Sequence, residues 1–142
     1  MSLLPEVVLE QFHDSYERLR DNPQFLDLLY ERFLNSSEEI AKLFAHSDLP
    51  RVKKMVRDSL IYKLMASDGS AIGIKKLQKL AEQHLGYGVK HEHYDLWLDC
   101  LMTVVEELDP RYNQHVDKAW RAVMGIGISV MKGPPEQTHL SK

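Results

Sequence analysis

The side chains able to do chemistry in this 142-residue chain are few, and seven histidines lead them. His13, His115 and His139 stand among polar neighbours, where a solvated imidazole needs no special partner. His84 is different. It lies four residues after Leu80, three after Ala81 and seven after Leu77, which puts its ring on the apolar stripe of a helix. A buried imidazole without a partner costs about 1–3 kcal/mol. Its nitrogens therefore call for another polar side chain or for a metal ion, and spacing alone leaves both open. No second His, Cys, Asp or Glu stands at zinc-site spacing from it. The lone Cys100 can form no internal disulfide, which suits a reducing compartment without requiring one.

Helices must position these residues, because apolar side chains recur at three-four spacing along almost the whole chain. The pattern predicts a first helix over about 5–20, with Val8, Phe12, Tyr16 and Leu19 on one face. Asn22-Pro23 reads as a cap and first-turn proline for a second helix carrying Phe25, Leu28, Leu29 and Phe33. Asn35-Ser36-Ser37 interrupts it, and a short turn through Ile40, Leu43 and Phe44 follows. A loop over 46–50 ends in a cap at Asp48. The next helix, to about Ser67, presents Val52, Met55, Val56, Leu60 and Leu64. Asp68-Gly69-Ser70 is a turn. The helix of His84 stops at Gly86 and Gly88. A long helix holds Tyr94, Trp97, Leu98, Leu101, Met102, Val105 and Leu108. Asp109-Pro110 reads as a cap and first-turn proline for the last helix, which carries Val116, Ala119, Trp120, Val123, Met124, Gly127, Val130 and Met131 at three-four spacing and ends at Gly133-Pro134-Pro135. No alternating run is long enough for a sheet, and there is no internal repeat. About seven helices of uneven length suit an all-α packing other than a four-helix bundle.

The bulk figures set limits. The length suits one hydrophobic core. Apolar residues make up 44% of the chain and charged residues 27%, ordinary globular usage that argues against overall disorder. A formal net charge of -3 argues against a nucleic-acid partner, since duplex binding needs a basic surface. No apolar run reaches the length of a membrane span, and the N-terminus lacks a basic-then-apolar signal. A cytoplasmic protein without a membrane partner is the expectation. A single axial imidazole such as His84 is enough for iron porphyrin, whose macrocycle supplies the other four ligands.

The segment from Leu80 through Gln83, His84 and Gly88 to Val89, followed by His93-Tyr94, resembles the proximal region of bacterial single-domain globins and of the haem domain of flavohaemoglobins. The segment Leu29-Tyr30-Glu31-Arg32-Phe33, with Leu43-Phe44 further on, resembles their distal region. Tyr30 and Phe44 stand fourteen residues apart, Val52 and His84 thirty-two, and His84 and Tyr94 ten, each matching the family's spacing. The resemblance covers roughly residues 5 to 132. It implies a globin fold of seven to eight helices around a haem pocket. A globin domain would span 1–133, with a flexible tail over 134–142.

Carried over residue by residue, the resemblance makes His84 the ligand to the iron of haem b. Phe44 becomes the ring packed on the porphyrin face, a role compatible with an ordinary core Phe. Tyr30 becomes the distal hydroxyl donor to a diatomic ligand; the plain alternative is a tyrosine bonded to a backbone carbonyl. Val52 stands where the family often has glutamine or histidine. Valine cannot donate a hydrogen bond, so Tyr30 would be the main polar group over the iron. A one-residue shift would bring Arg51 or Lys53 there, but Val52, Met55 and Val56 share one face, with Val56 beside the ligand. Leu80, Val89, Tyr94 and Trp97 would line the proximal side. A hydrogen bond from Tyr94 near His84 would orient the ring and tune its basicity. In flavohaemoglobins a glutamate near the end of the last helix extends that arrangement. Here the place falls at Pro135 or Glu136, past Gly133-Pro134, so less electron density would be pushed onto the iron and O–O cleavage would be less favoured. Gln83, Lys90 and His91 could meet the haem propionates or simply form a solvated helix end. His46, in the loop before the distal helix, could swing toward the iron.

The resemblance implies reversible binding of O2, or of NO or CO. Its enzymatic alternative is nitric oxide dioxygenation. The chain leaves no room for a flavin or nicotinamide domain, so turnover would need an external reductase. A gas or redox sensor is the third reading, for which an output domain would be expected.

Overall fold

The computed structural model describes residues 3–133, and all regular structure among them is helical. Seven helices follow one another: α1 (Glu6–Arg20), α2 (Phe25–Leu34), α3 (Glu38–Leu43), α4 (Leu49–Ser67), α5 (Ala71–Gly86), α6 (His91–Leu108) and α7 (Gln114–Lys132). The boundaries follow local chemistry. Ser37, Ser70 and Asn113 cap α3, α5 and α7 by accepting the backbone N–H groups of Ile40, Gly73 and Val116, which leaves fewer orphan donors in each first turn. Gly88 takes a φ of 86° just after α5, a left-handed conformation that glycine adopts without strain.

Two expected helix starts move. α2 begins at Phe25 rather than at the Asn22-Pro23 pair; Asn22 instead forms a turn in which its Oδ1 accepts from the Gln24 N–H at 2.9 Å. α7 starts at Asn113–Gln114, four residues beyond Asp109-Pro110. Asp109 is not a cap because its carboxylate is used elsewhere. Ser15 Oγ donates to it at 2.5 Å, Arg18 Nε and Nη2 at 2.6 and 2.8 Å, and the Arg111 N–H at 2.9 Å. Trp120 Nε1 donates in turn to Ser15 Oγ at 2.8 Å. Asp109 is buried, and burial alone would raise its carboxyl. The Arg18, Ser15 and Arg111 donors outweigh that and hold it below the usual carboxylate range, as charge-assisted hydrogen bonds do. This network ties α1 to the α6–α7 corner.

The core is built on α7. Trp120, Val123 and Met124 are fully enclosed, with Phe12 and Leu19 of α1, Leu29 of α2, Leu60 of α4 and Leu101, Val104 and Val105 of α6. Phe12 meets the Trp120 ring edge-on at 4.7 Å, the favoured aromatic geometry. α4, α5 and α7 pack against one another, α1 lies on α7, and α2 lies on α6. Gly73 sets the approach of α5 to α4. A Cβ there would stand 2.6 Å from Met65 Cβ and 3.1 Å from the Ala66 backbone nitrogen. Only glycine lets the helix that carries His84 come this close. Among the described residues no helix is long and apolar enough to cross a membrane. The expected tail over 134–142, with Pro135 and Glu136, lies outside the described residues.

Candidate functional site

Between α2, α4, α5 and α6 lies a cleft enclosing about 1040 Å³, its open mouth included. Ten of the eleven residues expected from sequence meet on its walls: Tyr30, Phe44, Val52, Met55, Val56, Leu80, His84, Val89, Tyr94 and Trp97. The eleventh, Gln83, is exposed and is not on the wall. Helical geometry explains the convergence. Val52, Met55 and Val56 share one face of α4, Leu80 and His84 one face of α5, and Tyr94 and Trp97 one face of α6. These apolar and aromatic residues are only half-buried because their remaining surface faces the cleft. That is the surface a flat, largely apolar group would cover.

His84 is the polar centre of this wall. Its Nδ1 is buried and, among the described residues, has no hydrogen-bond partner. Burial, joined by the charge of Lys63, holds its pKa below the usual imidazole value. The ring is therefore set up as a neutral base, the form a metal ligand needs. Tyr94 touches it edge-on, ring centroids 6.1 Å apart and planes at 75°. The hydrogen bond expected from Tyr94 toward His84 is not made: Tyr94 orients the imidazole by ring contact, and burial pushes its phenol up. Tyr30 packs edge-on against Phe44 at 5.9 Å, and Phe33 meets Phe44 at the same separation. Among the described residues Tyr30 makes no hydrogen bond to protein, and its hydroxyl serves no backbone carbonyl.

At the position opposite valine or its neighbours, Val52 lines the cleft and Arg51 is exposed. Lys53 also borders the cleft, but its ammonium pairs with Asp27. His46 is exposed and off the wall. Lys90, one of three residues expected near the propionates, donates to Glu39 at 2.9 Å. Glu39 also meets His93 Nε2 at 2.7 Å, while His93 Nδ1 accepts the Lys90 backbone N–H at 2.9 Å. His93 is thus a buried strut between α3 and the start of α6. Lys90 and His93 do not form the usual Ser/Thr-x-x-Glu/Gln capping signature, so this role of His93 had no sequence signal.

Sequence reasoning missed Lys63. This lysine is 3% exposed and sits on the cleft wall. Its ammonium lies 4.4 Å from the centroid of the Trp97 ring and donates to Ser59 Oγ. It stands one turn after Leu60 on an otherwise apolar face, but a lysine so placed usually reaches solvent, so its spacing gave no sign that it turns inward.

The cleft suits an iron porphyrin: it is an apolar slot in which, among the described residues, one buried imidazole nitrogen lacks a partner. Among the described residues no group of three His, Cys, Asp or Glu could hold a metal ion by itself, whereas a porphyrin needs from the protein only an axial donor. Comparison with known proteins agrees. The Globin family model matches residues 27–131. A crystal structure of PA3967 from Pseudomonas aeruginosa PAO1, described as structurally highly homologous to a human hemoglobin, superposes with a TM-score of 0.83. The two chains are 34% identical, and the match covers 88% of this chain and 95% of that one. No curated protein matches the chain. The chain belongs to the globin family, and the cofactor that family holds is haem.

Proposed function

We propose that His84 is the protein ligand to haem b and that the cleft reversibly binds O2 or another diatomic gas. The observation that carries the reading is the buried Nδ1 of His84, unpartnered among the described residues, in a cleft whose α2 wall holds Tyr30, which makes no hydrogen bond to those residues. Haem, when bound, would supply the iron that takes up the gas. The residues do the rest. Leu80 and Val89 line the cleft together with His84 and would exclude water, while Tyr94 meets the ring edge-on and would fix its plane. Phe44, braced by Phe33 and Tyr30, offers an aromatic face for the macrocycle. Val52, Met55 and Val56 keep the gas side apolar, which disfavours water and slows proton delivery. Tyr30, on the α2 wall of the cleft that Tyr94 and Ser59 also line, is the hydroxyl assigned here to donate to a ligand carrying partial negative charge.

Purified protein loaded with haemin and reduced should give a haem spectrum that changes with O2 and with CO and returns when the gas is removed. Oxidation to the ferric form within one oxygenation cycle would contradict reversible carriage.

A further inference from the structure

We infer that Lys63 is a tuning residue of the haem cleft: its ammonium, held inside the protein against Trp97 and Ser59, biases the iron toward the ferrous state. The inference rests on the reading that His84 holds haem iron. A lysine on a helix normally extends its stem to water. Here the side chain turns inward and three features accommodate it. The stem runs over Gly127 of α7, where a Cβ would stand only 2.3 Å from Lys63 Cγ and 2.8 Å from its Cβ. The ammonium sits on the face of Trp97, 4.4 Å from the centroid, the geometry of a cation–π contact. Ser59, one turn earlier on α4, accepts one of its three protons. No carboxylate pairs with it among the described residues, so its charge is not cancelled where it lies.

That position joins Lys63 to the His84 wall. Trp97 lies one turn along α6 from Tyr94, whose ring touches His84, and all four residues border the same cleft. Burial pulls the Lys63 amine down to about 7, so the ammonium is the main form only below that pH; while charged, it adds to burial in keeping His84 neutral. A positive charge in a medium of low polarity favours the iron state carrying one positive charge fewer. It also opposes electron donation by the imidazole. Lys63 acts through its field and touches neither substrate nor iron.

The test is the ferric–ferrous midpoint potential of the haem-loaded protein, measured at about pH 6, where the amine is charged. The single electron is supplied by dithionite through mediators. Relative to wild type, Lys63→Met should shift the ferric-to-ferrous ratio at a given potential roughly tenfold toward ferric, about 59 mV for one electron. That size is what a unit charge exerts over several ångströms at an effective dielectric constant of about 20. Lys63→Gln, which keeps a hydrogen-bonding end, should shift it in the same direction, whereas Lys63→Arg should restore the wild-type value to within about threefold. Neutral variants with a normal haem spectrum and an unmoved or raised potential overturn the role of Lys63 while leaving haem binding intact. So does an arginine variant that falls with the neutral ones. Wild-type protein that takes up no haem overturns both readings.

Discussion

Two glycines of α7, Gly125 and Gly127, should respond to the same substitution with opposite signs. In a helix interior, replacing glycine by alanine gains about 0.5–1 kcal/mol from backbone entropy. At Gly125 a new Cβ meets nothing within 4 Å, so Gly125→Ala should keep that gain. At Gly127 the new methyl would stand 2.3, 2.8 and 3.0 Å from Lys63 Cγ, Cβ and Cδ. The first two atoms are close to the α4 backbone and cannot swing away as a side-chain tip can. Relieving the overlap means moving α4 from α7 or expelling Lys63, at roughly 1–3 kcal/mol. The net expectation for Gly127→Ala is a loss of up to about 2 kcal/mol. For a domain of this size 1 kcal/mol moves the melting temperature by roughly 3–4 °C. Thermal unfolding followed by circular dichroism, with haem loading held equal, should therefore show Gly125→Ala melting about 2–4 °C higher and Gly127→Ala several degrees lower. A Gly127→Ala protein as stable as Gly125→Ala would refute the claim that a packed lysine stem demands glycine there.

Other outcomes follow from the site and the buried network. Tyr30→Phe should speed O2 dissociation roughly fivefold, the worth of one hydrogen bond of about 1 kcal/mol; an unchanged rate in flash photolysis or stopped flow would mean the hydroxyl does not reach the gas. Asp109→Asn should destabilise the fold by roughly 2–4 kcal/mol in urea titrations, because Arg18 and Ser15 lose a buried charged partner, with some discount for the partial exposure of Arg18. The folded Asp109 carboxyl sits below its unfolded value of about 3.9. Its contribution is therefore complete above that pH and is lost as pH falls through the folded value. Wild type should lose stability steeply below about pH 4, and Asp109→Asn should show a shallower acid slope; equal slopes would point to other carboxylates.

Much of the fold was legible because periodicity, caps and breakers agree along the chain. Ser70 and Gly88 mark the ends of α5 by chemistry that needs no tertiary context, and the α4 triad of Val52, Met55 and Val56 declares its shared face. Asp109-Pro110 misled because a cap and a proline are local signals, while the bonds that claim Asp109 come from Ser15 and Arg18, more than ninety residues away. The wall of the cleft was legible through spacing on four helices. Lys63 was not, since nothing in a single helix tells an inward lysine from an outward one; that depends on Gly127 and Trp97 meeting it from α7 and α6. The contact of Tyr94 with His84 was foreseen as a neighbourhood, but its edge-on geometry depends on how α5 and α6 cross.

The central claim is that His84 is the donor the protein offers to haem iron. The most direct measurement is the absorption spectrum of haem-loaded His84→Gly, taken ferric, ferrous and with CO, before and after adding imidazole. Loss of the histidine-ligated spectrum, with its return when free imidazole fills the space left by the side chain, is the predicted result. A histidine-ligated spectrum that survives in His84→Gly without imidazole would contradict it.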